Sequence, residues 1–452
     1  MFRSSIVFLL VLFNTLPLLA VYQAVNTWVR PESRRKKVLI AAFATIILLN
    51  VPITLFWFRA AYLHLYNLPT GVLRGIFYPA LAWQTTALLF TVFVGPIFVI
   101  LLAANAAKRL RSNRSAAAGL PVAAAPAPVI DSPLQAPAIS RRNFLTGGAG
   151  LLVPAVYCFS AYELYDMAGD VDISPEITVP IANLPRSLDG MTIVQLSDLH
   201  VGPYVRQREL QHWVGLANQL KPDLIVLTGD LIDRSMVALP DAVQGLQGLR
   251  APLGVLATMG NHDLSSDRLG SRGDLRGGEN IVKAIQTSGI RTLRNEVTYL
   301  GEGSEKLAVL GLDWMTARDL RNFYRYHPGV TRNHLTTLAQ QVPEGAPSIL
   351  LTHHPDTFSE VPPLGVSLTL AGHTHGGGQV VFFTWDGAPV GISSARFRYV
   401  SGLYREGAST LYVNRGLGYF GVPIRINCPP EISRFRLVRA EGQSQPMTQP
   451  AT

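Results

Sequence analysis

The stretch Thr192-Ile193-Val194-Gln195-Leu196-Ser197-Asp198-Leu199-His200 decides the reading of this chain. Five residues suited to a buried strand run straight into an acid and a histidine two positions apart. The pattern recurs downstream. Leu224–Thr228 runs into Gly229-Asp230, and Val255–Met259 into Gly260-Asn261-His262-Asp263. Ser348–Thr352 runs into His353-His354-Pro355-Asp356, and Ser367–Leu370 into Ala371-Gly372-His373-Thr374-His375-Gly376. Leu307–Leu310 reads as a further strand. Between the strands, Leu210, Trp213, Val214, Ala217 and Leu220 recur at helical spacing, and Glu279–Thr287 and Arg332–Gln341 read as helices. Alternation of this kind predicts an α/β layered domain. Carboxylates, imidazoles and an amide gather at the carboxyl ends of its strands, where such folds place their sites.

Neutral imidazoles and carboxylates suit borderline divalent ions such as manganese, iron or zinc, and no thiolate takes part. Asp198, His200, Asp230, Asn261, His353, His373 and His375 are seven candidate donors, more than one ion needs. A carboxylate can bridge two ions, so seven donors with one shared fit a two-metal site. Gly229, Gly260 and Gly372 allow tight turns beside them. Of the ten histidines, His200, His262, His353, His354, His373 and His375 lie in these strand-end motifs. His64, His212, His327 and His334 do not, and are read as structural; His354, beside a better candidate, is read as supporting it or as incidental. Asp233, Asp263, Asp313 and Asp356 are open to either a ligand-orienting or a turn role.

Upstream the composition changes. Hydrophobic residues make up 48% of the 452 residues and charged residues only 15%, a balance low in charge for a soluble protein. Four apolar runs, Ser5–Val29, Val38–Phe58, Pro79–Ala104 and Phe144–Tyr162, approach the roughly 20 residues that cross a bilayer as a helix. The net charge of +9 resides wholly beside them. Arg30, Arg34, Arg35, Lys36 and Lys37 surround Glu32; Lys108, Arg109, Arg111, Arg114, Arg141 and Arg142 accompany Asp131. Basic loops flanking apolar runs point to membrane topology and not to a nucleic-acid face. They place both basic segments in the cytoplasm, the N-terminus outside, and the domain after the fourth span outside. Ser115–Ile139, rich in Ala and Pro, reads as a linker. Ser140-Arg141-Arg142-Asn143-Phe144-Leu145 resembles a bacterial twin-arginine export signal in an internal position, the alternative being a positive-inside anchor. Cys158 and Cys428 have neither disulfide nor metal-site spacing.

The ordered set Asp198-x-His200, Gly229-Asp230, Gly260-Asn261-His262-Asp263, His353 and Gly372-His373-Thr374-His375 resembles the calcineurin-like metallophosphoesterase superfamily. Gly416-Leu417-Gly418 followed by Pro423-Ile424-Arg425-Ile426-Asn427-Cys428-Pro429-Pro430-Glu431 resembles its membrane-associated bacterial branch and the animal transmembrane protein with a metallophosphoesterase domain. The resemblance spans about Ile181 to Val438, and Gly376-Gly377-Gly378 holds one glycine more than it leads one to expect. It implies an α/β (α+β) four-layer sandwich of two mixed sheets flanked by helices, here preceded by an all-α transmembrane region. The expected organisation is three spans in 1–105, a cytoplasmic linker in 106–143, a fourth span in 144–162, the catalytic domain in 163–440 and a disordered tail in 441–452. The resemblance also implies that Asp198, His200, Asp230 and His375 hold one ion and that Asp230, Asn261, His353 and His373 hold the other. His262 would contact the phosphate and help the leaving group.

Such a site hydrolyses a phosphodiester or phosphomonoester. Two cations neutralise the ester and bring a bridging water to a pKa near ~7. Anchoring makes a lipid headgroup or cell-envelope intermediate the expected substrate, at the inner or plasma membrane with the site outside the cytoplasm. A catalytically silent sensor or scaffold is the competing class, but the ligand set and His262 are all retained. A transporter built on the spans is disfavoured by their few ionisable groups.

Overall fold

The computed structural model describes residues 2–58, 68–117, 141–165, 171–264, 276–303, 305–314, 328–421 and 423–440. Most of the Ala/Pro-rich segment and the 441–452 tail lie outside them. The chain forms two compact units, one of residues 1–62 and 69–165, the other mainly of residues 166–452.

The first unit is helical. Helices Phe2–Trp28 and Glu32–Phe58 are followed by one continuous helix over residues 70–117, and Arg141–Tyr165 is the last. The long third helix contains two π-helical turns, Leu73–Phe77 and Phe90–Val94. Glu32–Thr54, Leu73–Lys108 and Asn143–Leu164 are long and apolar enough to cross a membrane. They are apolar around much of their circumference, which suits a lipid surround better than a one-sided protein core. The polar groups inside satisfy each other. Asn14 donates to Gln84, Gln84 to Asn50 and Asn50 to Asn14, with Trp83 Nε1 adding a 2.6 Å bond to Asn14 Oδ1. This amide ring ties three helices without leaving an unpaired group in an apolar setting.

The second unit is built on two mixed sheets. Strands β1 (Asp172–Ile173), β2 (Ile177–Ile181), β3 (Thr192–Leu196), β4 (Leu224–Thr228), β5 (Val255–Thr258) and β6 (Ile290–Thr292) belong to the first. Strands β7 (Glu296–Glu302), β8 (Glu305–Leu312), β9 (Ser348–Thr352) and β10 (Leu368–Ala371) belong to the second. A separate hairpin, β11 (Val381–Trp385) and β12 (Ala388–Gly391), precedes β13 (Gly402–Glu406) and β14 (Ser409–Val413) of the second sheet. The last strand, β15 (Glu431–Arg439), returns to the first. β3 to β6 run parallel, β15 is antiparallel to β3, and β8, β9, β10 and β14 run parallel.

The core explains the layering. Ile193, Val226, Leu256 and Phe435 of the first sheet share one buried cluster with Leu307, Val309, Ile349, Leu351, Leu368 and Leu370 of the second. Alternate residues of the second sheet, Ala308, Leu310, Leu312 and Leu350, join Leu335 and Leu338 of the helix Pro328–Ala339 in another. Period-two alternation thus feeds two layers from each strand. Helix Gln207–Gln219 buries Leu210, Trp213, Val214 and Ala217, the side predicted by their spacing. The two mixed sheets with helices are the architecture the family resemblance implies, and all six strands read from the sequence are present. β5 stops one residue early, and β8 is longer because β7 pairs with Glu305–Gly311 and β9 holds Leu312.

Candidate metal centre

The parallel strands of both sheets end side by side, and the seven candidate donors emerge there. The turns are unusual. Asp198, His200, Asp230, His373 and His375 all have left-handed backbones, with φ from 45° to 73°. Non-glycine residues avoid this region, and its concentration at one cluster indicates local strain held by the surrounding fold. It folds the side chains back over the strand ends. Two glycines allow the crowding. A Cβ on Gly229, where φ is +88°, would lie 2.6 Å from His353 Nδ1, and one on Gly372 would lie 2.0 Å from Ser197 Oγ.

The donors form two clusters with a common edge. Asp198, His200 and His375 converge in one, Asp230, His353 and His373 in the other, and only His373 is less than fully buried. In the first, the Nε2 atoms of His200 and His375 are 3.0 Å apart, and His375 Nε2 is 3.4 Å from Asp198 Oδ1. In the second, His353 Nε2 is 3.1 Å from Asp230 Oδ2 and 3.2 Å from His373 Nδ1. Asp230 joins them. Its Oδ1 accepts the His262 backbone N–H at 2.8 Å, leaving Oδ2 to face His353 and, at 3.5 Å, His200. Asn261 Oδ1 is buried without a hydrogen-bond partner.

These residues fit two cations. An orphaned buried carbonyl oxygen costs about 1–3 kcal/mol unless something binds it. Paired imidazole nitrogens facing one another repel unless a proton or a cation lies between them. The ligand rings are already oriented, since His353 Nδ1 donates to Thr228 O at 2.7 Å. Electrostatics agree. Burial opposes a charge on His353, but Asp230 and Asp198 outweigh it and hold its pKa at about 10. Asp198, despite burial, is kept well below the usual carboxylate range by His353 and His375. Burial lowers His200 to about 3 and also lowers His373 and His375. The pocket thus favours neutral imidazoles at His200, His373 and His375 around a negative field that draws positive charge toward His353.

His262 stands beside this centre. Its Nδ1 is 2.8 Å from Asp233 Oδ1, and its Nε2 is 2.9 Å from the Arg234 guanidinium. Arginine only donates, so Nε2 presents its lone pair and Nδ1 carries the proton. Burial, then Arg234, hold the His262 pKa well below its ordinary value. Burial also pushes Asp233 up to about 7 against the pull of Arg234.

The other singled-out residues have structural partners. Asp263 accepts from Gly260 N and Ile232 N, tying two ligand loops together. Asp313 pairs with Arg294, and Asp356 accepts from Arg398 N. His354 Nδ1 accepts from Asp356 N. His212 and His334 lie on helices Gln207–Gln219 and Pro328–Ala339, while His64 and His327 fall outside the described residues. Cys158 and Cys428 are both free thiols. Sequence reasoning missed Arg234, whose signal is its place directly after Asp233 in Gly229-Asp230-Leu231-Ile232-Asp233-Arg234. It also gave no role to Trp314 or Phe397, whose rings lie 4.8 Å and 5.3 Å from that of His373, or to Arg425, which reaches His375 Nδ1 at 3.3 Å.

Comparison with known proteins points the same way. The family profile of calcineurin-like phosphoesterases matches residues 191–377. The chain is 33% identical over 313 residues to the metallophosphoesterase YkuE of Bacillus subtilis, covering 66% of this chain and 98% of that protein. It is 31% identical over 309 residues to the transmembrane protein with metallophosphoesterase domain of Danio rerio, covering 67% and 65% respectively. A Helicobacter pylori metallophosphoesterase is 28% identical over 301 residues, 66% of this chain and 72% of its own. With the profile falling on the strands that carry all seven donors, the chain belongs to the calcineurin-like metallophosphoesterases, a family of metal-dependent phosphoester hydrolases.

Proposed function

We propose that this protein is a membrane-anchored two-metal phosphoesterase that hydrolyses a phosphodiester or phosphomonoester outside the cytoplasm. The observation that carries the reading is Asp230, whose Oδ2 faces His353 at 3.1 Å and His200 at 3.5 Å and so belongs to both clusters. Asp198, His200, Asp230 and His375 would hold one divalent ion; Asp230, Asn261, His353 and His373 would hold the other. Manganese, iron or zinc suits this nitrogen and oxygen set. Bound there, the ions would neutralise the ester and acidify an attacking water.

The chain's own residues then have defined tasks. Hydrolysis adds water across one P–O bond, with hydroxyl going to phosphorus and a proton to the leaving oxygen. Asp233 fixes the His262 ring through Nδ1, which leaves Nε2 and Arg234 as neighbouring groups at the edge of the centre. A phosphate arriving between them would take the guanidinium as its partner and free the Nε2 lone pair to accept the proton released by the attacking water and pass it to the leaving oxygen. Buried Trp314 and His354 and half-buried Phe397 limit water on the His373 side.

Anchoring and side rest on the helices and their charges. The Arg30–Lys37 connection and the basic end of the third helix favour a cytoplasmic position for both. The last helix, Arg141–Tyr165, would then lead the catalytic unit out. The test uses full-length protein, stripped of metal and reloaded in turn with manganese, iron and zinc. It should hydrolyse bis(p-nitrophenyl) phosphate or p-nitrophenyl phosphate only when loaded. Lack of metal-dependent turnover on both esters with every ion sinks the reading.

A further inference from the structure

The chain leaving His375 enters neither sheet but forms the separate hairpin of β11 and β12. Asp386 and Gly387 close it with φ of 47° and 75°, the left-handed pair of a tight hairpin turn. The register slips between Val381 and Phe383, so Phe382 is an extra residue and the side chains beyond it change faces. Val381 and its partner Gly391 turn inward, Val381 being buried and Gly391 lying against Gly377 O. Phe383 pairs with Val390 and Trp385 with Ala388, and cross-strand partners share a face. That face is open to solvent. Ile392 follows directly on the end of β12 and is likewise exposed. Phe383 is 54%, Trp385 73% and Ile392 53% exposed, and Trp385 is the most exposed large hydrophobic among the described residues.

The base of the hairpin is bonded to the turn that follows His375. Ser393 N donates to Gly377 O at 2.9 Å, and Gly391 N donates to Ser394 Oγ at 2.7 Å within the base itself. Its first strand begins at Val381, a short turn after the candidate ligand His375, and the chain past its second strand reaches Phe397, whose ring packs on His373. Its one acid, Asp386, is at the tip, while the exposed Arg396 follows its base together with Arg398, whose guanidinium pairs with Glu406 at 3.2 Å. A clustered apolar face flanked by basic residues marks an interaction surface. Aromatic rings of this kind favour the headgroup level of a bilayer, and anionic lipid favours the arginines. Covalent connection points to the same partner: only six residues of sequence separate the end of a helix long and apolar enough to cross a membrane, at Tyr165, from β1 at Asp172.

The geometry points to the hairpin as a membrane-interface anchor, seating Phe383, Trp385 and Ile392 among acyl chains so that the metal centre receives a phosphoester carried by a lipid. This rests on the phosphoesterase reading and narrows its substrate class. The test places p-benzoylphenylalanine at position 383 or 385 of full-length, metal-loaded protein in nanodiscs of phosphatidylcholine with a minority of phosphatidylglycerol. The control position is Tyr299, 40% exposed and paired through Ala308 to the start of β9, the end opposite His353. Irradiation should crosslink lipid at 383 and 385 with a yield roughly tenfold that at 299, the discrimination expected for side chains seated in the apolar layer. Crosslinks to protein, or lipid yields equal to the control, overturn the anchor whatever the turnover. In parallel, the F383S/W385S variant is assayed on methyl and hexadecyl p-nitrophenyl phosphate, which share one reacting group. Hexadecyl turnover in nanodiscs should fall roughly tenfold or more while methyl turnover stays within about twofold. Equal changes on both esters overturn the lipid assignment. If the loaded wild type cleaves neither of these diesters, the lipid-diester assignment falls, turnover of p-nitrophenyl phosphate decides the phosphoesterase reading, and the crosslinking still decides the anchor.

Discussion

Gly260→Ala should empty the metal centre without altering any ligand. A Cβ at this position would lie 2.1 Å from Asp230 Oδ1 and 2.5 Å from Asp230 N. Ordinary contact begins at 3.4 Å, so the carboxylate oxygen must retreat by about 1.3 Å or the backbone must move. Metal–ligand distances tolerate shifts of only about 0.2 Å. The Asp230 carboxylate would leave both clusters and would also lose the 2.8 Å bond from His262 N. Gly260 carries no left-handed φ, so the effect is steric and comes without a backbone penalty. Overpacking of this kind costs about 1–3 kcal/mol, enough to lower thermal stability but not to unfold a domain of this size outright. The assay is elemental analysis of the reloaded protein with thermal unfolding in parallel. Gly215→Ala is the control: it lies in helix Gln207–Gln219, has no neighbour within 4 Å of its Cβ position, and should add about 0.5–1 kcal/mol of stability. If Gly260→Ala binds a full metal complement with unchanged stability, the placement of Asp230 between the clusters is wrong.

Three further outcomes follow from the same geometry. His262→Ala should keep its metals while turnover of an alkyl phosphodiester falls roughly 100-fold or more, with a smaller loss on a nitrophenyl ester that needs no proton. Equal losses on both esters would assign His262 and Arg234 to charge stabilisation alone. In the metal-free protein His353 is protonated at neutral pH because its pKa is held at about 10, so metal binding must expel that proton. Affinity should therefore rise with pH up to about 10 and weaken as pH falls, and calorimetry in buffers of different ionisation heat should detect proton release; release of none contradicts the assignment. A reporter active only in the cytoplasm, fused after Thr452, should be silent, whereas strong signal would reverse the proposed topology.

Much of the centre was legible because each ligand directly follows a short apolar strand. Leu224–Thr228 followed by Gly229-Asp230 is a local signal, and the chain needs no distant contact to reveal it. β15 was not legible. Its pairing of Phe435 with Ile193 closes a loop of more than two hundred residues, and nothing near Phe435 announces its partner. The hairpin was missed because the Gly376-Gly377-Gly378 run and Asp386-Gly387 read as turns without showing that the strands between them leave both sheets. Arg234, Trp314 and Phe397 reach the site only by tertiary approach. The left-handed backbones of Asp198, His200, Asp230, His373 and His375 likewise follow from crowding at the meeting of two sheets, which no single stretch records.

Elemental analysis of the metal-saturated full-length protein, wild type beside Asp230→Asn, tests the central claim most directly. The account predicts two divalent ions per wild-type chain, and loss from both positions in the variant because one carboxylate serves both clusters. One ion per wild-type chain at saturation, or two retained by Asp230→Asn, would contradict it.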